Sequence, residues 1–195
     1  MPRIAFQFVL LLVAGLISSG CSVYTGQASS LQPQTLKREA GWLSVDGVPM
    51  LRQTDDHDCG PTALSMVLAY WQPGSARLRS DRDMQISAGE LREIAKRHGL
   101  SAYVVAGTVD DLVYELKHGR PVIVGTAKPT VGGALTHYEV VIGLHRESQR
   151  VATLDPAAGY RQNSFTGFLT EWNATGQVLL VVVPAKAPAH AELAR

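Results

Sequence analysis

Cysteine is scarce in this chain: 195 residues hold two, Cys21 and Cys59. That count excludes a disulfide-stapled scaffold. A Cys21–Cys59 bridge would tie the body of the chain to its own leader, so each thiol is read as having a separate job. A surplus of charge is also lacking, with 18 Lys+Arg against 17 Asp+Glu. Arg3 is the single charge in the first twenty residues, and without that segment the balance is zero. Neither a nucleic-acid-binding surface nor a solvated acidic or basic tail is expected. No G-x-x-x-x-G-K-[ST] phosphate loop occurs, no apolar run reaches the roughly 20 residues needed to cross a bilayer, and no internal repeat is visible. What is present is a 46% apolar fraction, enough for a core and too high for a disordered chain.

The first twenty residues read as an export signal. Arg3 supplies a positive start, Ile4–Ile17 is apolar apart from Gln7, and Ser18-Ser19-Gly20 precede Cys21. The small-small-Cys ending resembles a bacterial lipobox, although Ser18 stands where that motif carries a large aliphatic residue. The expectation is a lipidated Cys21, with an ordinary secretory signal or an uncleaved anchor as alternatives. Ser22 after the cysteine fits release to an outer membrane, with the domain facing the periplasm. Residues 22–37 are rich in Ser, Gln, Gly and Thr and read as a flexible tether. The expected division is signal 1–20, tether 21–40, one domain over 41–184 and a frayed tail 185–195.

The domain pattern predicts an α+β fold, helices first and antiparallel strands after. A first strand is expected over 43–51, with Pro49 marking an edge. Cys59–Trp71 reads as a buried helix with Pro61 in its first turn. Ser87 with Glu90 and Thr108 with Asp111 are capping boxes, opening helices closed by Gly99 and Gly119. Strands are expected over 102–105, 121–126, 137–144, 151–154 and 177–183, the third and fourth as a hairpin, with a short helix over 165–172. Residues 127–136 read as either a mobile specificity loop or a plain connector.

Cys59 stands in the first turn of its helix. Unpaired N–H groups and the positive helix end there favour a thiolate and can hold an oxyanion. The alternative is a small buried hydrophobe. Residues 55–58 (Asp-Asp-His-Asp) read as an exposed loop rather than a metal site, because adjacent residues rarely converge on one ion. His98, His118, His145 and His190 are expected to face solvent, and no cofactor or metal is expected.

Around Cys59 the run Gln53-Thr-Asp-Asp-His-Asp-Cys59-Gly60-Pro61-Thr-Ala-Leu64 resembles the C39 peptidase family, papain-like thiol proteases that trim bacteriocin leader peptides. The family's His-Tyr and Asp-Pro pairs have counterparts in His137-Tyr138 and Asp155-Pro156. The resemblance implies a papain-like fold with Cys59 as nucleophile, His137 as base and Asp155 orienting the imidazole. Gln53 would donate to the oxyanion. It implies a peptide or protein substrate cut through an acyl-enzyme. The transporter-fused members carry a phosphate loop and membrane spans, so this chain resembles a stand-alone form at the cell envelope. A link to export or surface-assembly machinery would follow from the family alone. Two other readings keep the same residues: a catalytically silent peptide-binding module, and a thiol amidase or acyltransferase.

Overall fold

The structure, a computed structural model, describes residues 25–79, 85–130 and 133–185. Its elements in chain order are β1 (Ser29–Ser30), α1 (Thr35–Arg38), β2 (Trp42–Ser44), α2 (Cys59–Trp71), α3 (Ala88–Arg97), β3 (Leu100–Ala106), α4 (Val109–Lys117), β4 (Val122–Thr130), β5 (Gly133–His145), β6 (Arg150–Asp155), β7 (Gly159–Ser164), α5 (Phe165–Asn173) and β8 (Val178–Pro184). The eight strands form one antiparallel sheet in the order β1-β7-β6-β5-β4-β8-β3, with β2 added on β5. The α+β expectation holds, with helices packed on an antiparallel sheet. No helix among the described residues is long and apolar enough to cross a membrane.

Helix α2 has the expected bounds. Every residue from Cys59 to Leu68 is buried, so it has no solvent stripe in its first turns. Its far end is held by two aromatic donors: Tyr70 Oη gives to Gly119 O at 2.8 Å and Trp71 Nε1 to Val182 O at 2.8 Å. Both capping boxes form, with Ser87 and Glu90 opening α3 and Thr108 and Asp111 opening α4. Gly99 and Gly119 then take φ of +78° and +68°, the left-handed turn that stops each helix.

Several expectations change. The segment read as a tether is docked from Thr25 onward: Ser29–Ser30 pair with β7, Leu31 is buried, and Thr35–Arg38 form α1. Its polar composition hides the two buried leucines, Leu31 and Leu36, that hold it together with backbone pairing. The strand expected over 43–51 is Trp42–Ser44, paired with β5, and one more backbone bond follows, from Val45 N–H to Ile142 O at 2.8 Å. Residues 127–130 and 133–136 are strand rather than loop. They lengthen β4 and β5 into a paired arm with Ala127 opposite Thr136 and Thr130 opposite Gly133. Strand β7 has a polar sequence and is recruited by pairing along β6. His145 is buried, its Nε2 2.9 Å from Ala40 O and its ring edge-on to Trp42, whereas His118 is exposed as expected. Cys21, His190 and the 185–195 tail lie outside the described residues apart from residue 185.

Candidate active site

Three of the sequence motifs converge on one end of the β5–β6 ladder. Strand β5 carries His137 and β6 ends at Asp155, in register because Val140 pairs with Leu154. His137 Nε2 lies 2.9 Å from Asp155 Oδ1, and both groups are buried. Beyond Asp155 the chain turns at Pro156, whose carbonyl accepts the backbone N–H of Gln53 at 2.9 Å. Arg52 Nη1 gives to Ala157 O at 2.6 Å, so the segment leading to α2 is pinned against the turn that follows Asp155. The Gln53 Oε1 atom is buried and without a hydrogen-bond partner.

Cys59 opens α2 and is 1% exposed. The backbone amides of Tyr138, Gly60 and Cys59 itself interact with its sulfur, and Tyr138 adjoins His137. Burial outweighs these amides and pushes the thiol above its ordinary value, with the Asp58 charge adding to the rise. The amides at the helix end favour thiolate, as expected, but burial opposes them and is the larger effect. Among the described residues no hydrogen bond joins Cys59 to His137. A Cβ on Gly60 would stand 3.2 Å from the Tyr138 ring, so glycine lets the first turn of α2 settle on β5.

Burial likewise lowers His137 to about 4, with Lys128 lowering it further and Glu139 raising it. Burial raises Asp155 to about 6, opposed by the amides of Ala157 and Ala158 and by Arg161. Those amides donate to Oδ1 at 2.7 and 3.2 Å, while Oδ2 has no hydrogen-bond partner. At neutral pH the pair is thus a carboxylate facing a neutral imidazole. An ionised Asp155 fixes the proton on Nε2 and leaves the lone pair on Nδ1.

Asp58 was expected in an exposed loop and is instead 1% exposed, accepting from Thr54 Oγ1 at 2.5 Å. Sequence reasoning also missed a buried charge cluster beside His137. Lys128 is ion-paired with both Glu139 and Glu171, and Thr153 Oγ1 gives to Glu139 at 2.5 Å. The ligating atoms of His137, Glu139 and Asp155 lie within 4.8 Å of one another. A metal could be held by such a set, but here Lys128 already sits on Glu139 and Asp155 Oδ1 is taken by His137, Ala157 and Ala158. The cluster carries its own cation.

The site thus holds a thiol on a buried helix N-terminus, next to the strand that carries His137, whose imidazole is held by Asp155 at the end of β6. The chain belongs to the Peptidase_C39 like family, whose model matches residues 45–180. Solved structures agree in fold. A putative C39-like peptidase from Bacillus anthracis is similar at a TM-score of 0.58 and 18% identity, over 75% of this chain and 99% of that one. The peptidase domain of Streptococcus ComA, a bi-functional ABC transporter involved in a quorum sensing pathway, is similar at 0.57 and 22%, over 71% and 100%. A double glycine motif protease from an AMS/PCAT transporter, solved with its leader peptide, is similar at 0.53 and 22%, over 73% and 95%. No curated protein matches the chain.

Proposed function

We propose that the protein is a thiol endopeptidase of the bacterial cell envelope that cuts an exported peptide or protein. The observation that carries this reading is the His137 Nε2–Asp155 Oδ1 contact of 2.9 Å, on the strand whose next residue, Tyr138, meets the Cys59 sulfur through its backbone amide. In the reaction His137 Nδ1 takes the Cys59 proton as the sulfur attacks the scissile carbonyl carbon. The oxyanion is held by the Cys59 N–H and the Gln53 side-chain amide. His137 returns the proton to the leaving amine, and water, deprotonated by the same imidazole, cleaves the thioester. Asp155 holds the tautomer and balances the imidazolium. The substrate reaches a thiol that is neutral at rest, so activation belongs to the bound complex.

The proposal extends to location: an export signal over residues 1–20 and a lipid on Cys21 would hold the domain at the periplasmic face of an outer membrane. A Cys21→Ser chain that still fractionates with membranes would sink the lipid.

A second reading, a peptide-binding module that does not cut, is favoured by one observation: Cys59 is buried, burial pushes its thiol up, and among the described residues no hydrogen bond joins it to His137. Incubating a peptide library with the protein, its Cys59→Ala form and its His137→Ala form separates the two. New peptide termini generated by the wild type alone support the peptidase. Binding without new termini supports the module. Amine release with no internal cut would point to an amidase.

A further inference from the structure

Lys128, Glu139 and Glu171 are 2, 3 and 2% exposed, and nothing in the proposed reaction uses them. Burying an ion costs several kcal/mol, and such clusters are often no more stabilising than apolar residues of equal volume. Stability alone is therefore a poor account of three charges at this place.

The register shows what they surround. Lys128 is opposite Leu135, Thr126 opposite His137, and Val124 opposite Glu139. Side chains two apart share a face, so all of these lie on the His137 face of the sheet. Leu135 to Glu139 is roughly 13 Å of strand, at about 3.3 Å per residue. To reach Glu139, the Lys128 side chain must run back along that face past the Thr126–His137 pair. Glu139 is fixed by Lys128 and by Thr153 from β6. Glu171, from α5, holds Lys128 from the other side and accepts the Thr25 N–H at 2.5 Å. Burial works against the Glu139 carboxylate, but Lys128, His137 and Thr153 outweigh it and keep it ionised.

We propose that Glu139 and Lys128 are positioning residues that set the basicity of His137 from opposite sides, Glu139 supporting the imidazolium and Lys128 opposing it, with Glu171 holding Lys128 in place. The charged groups that act on His137 directly are Lys128 on β4, Glu139 on β5 and Asp155 on β6, while Arg161 on β7 and Glu171 on α5 act on Asp155. The Cys59 thiol and Asp58 stand at the start of α2.

This inference deepens the peptidase reading and rests on it for its meaning, but its test does not need cleavage. Histidine imidazole signals of the full chain are titrated by NMR, with His137 identified by its loss in His137→Gln. Lys128→Met is expected to raise the His137 proton affinity about tenfold, one pH unit, and Glu139→Gln to lower it by a similar factor. Opposite shifts support the proposal; no shift, or shifts of one sign, overturn it. Should Lys128→Met fail to fold, the near-isosteric Glu139→Gln decides alone. A wild type that titrates as expected and cuts nothing removes the peptidase reading only. A wild type that cuts, with a titration indifferent to both variants, removes this inference only.

Discussion

Asp155 Oδ1 collects every hydrogen bond its carboxylate makes, from His137 Nε2 at 2.9 Å and the amides of Ala157 and Ala158, while Oδ2 in the same buried group has none. The turn after β6 therefore aims one oxygen at the imidazole and fixes it there. An acid with a single aimed oxygen is sensitive to the loss of charge even when its shape is kept.

Asp155→Asn tests that sensitivity. The amide can offer an N–H where the carboxylate oxygen accepted one, favouring the wrong tautomer of His137. Cleavage of a peptide found in the library screen should drop in kcat by roughly 10²-fold or more, with a smaller change in KM. An unchanged kcat would remove Asp155 from the mechanism.

The buried pair also sets a pH dependence of stability. Asp155 binds its proton more tightly folded, at about 6, than at its ordinary 3.8, so its contribution is lost as pH rises through that window. His137 binds its proton less tightly folded, at about 4, than at its ordinary 6.5, so its contribution is lost as pH falls through that window. Each amounts to about 3 kcal/mol and the signs oppose, so the wild type should show little net slope from this pair between pH 4 and 6. Urea melts should expose the hidden halves: His137→Gln loses stability as pH rises from 4 to 6, and Asp155→Asn gains it. Slopes of the reverse sign would contradict the burial argument.

Cys59 should behave as a buried thiol. Iodoacetamide labelling of the free protein is expected to be slow at pH 6–8 and to rise only in alkaline solution, as the thiolate fraction grows. A peptide carrying an electrophilic carbonyl should label it faster at pH 7, because binding brings His137 into play. Fast labelling by iodoacetamide at pH 6 would mean a preformed ion pair.

The N-terminal strap packs on α5 through two glycines. A Cβ on Gly167 would run into the Thr25 carbonyl and stand 2.8 Å from Gly26 Cα. Gly167→Ala should loosen residues 25–31, seen as faster amide exchange there. Leu31→Ala, at a buried site, should cost roughly 2–4 kcal/mol in urea melts. Unaltered exchange in the glycine variant would refute the tight contact.

Much of this arrangement was legible in the residues. Capping boxes at Ser87 and Thr108 are local and marked two helices almost to the residue. Cys59, His137 and Asp155 were located by short motifs whose order carries through to the strands. Long-range pairing was not legible. Lys128 and Glu171 stand 43 positions apart and meet only because β4 and α5 pack together, so each reads alone as a surface charge. Strand β7 has no apolar alternation and exists because β6 offers an edge. Burial of Asp58 and of the Cys59 thiol is a property of the closed site, which the helix-end argument cannot see.

The docked strap also sets a working distance. With a lipid on Cys21, as proposed, only four peptide units separate the anchor from Thr25, where the chain is already part of the folded body. That leash spans at most about 14 Å. The domain could not roam the space between two membranes. It would wait at headgroup height and meet its substrates as they emerge from, or lie along, the bilayer surface.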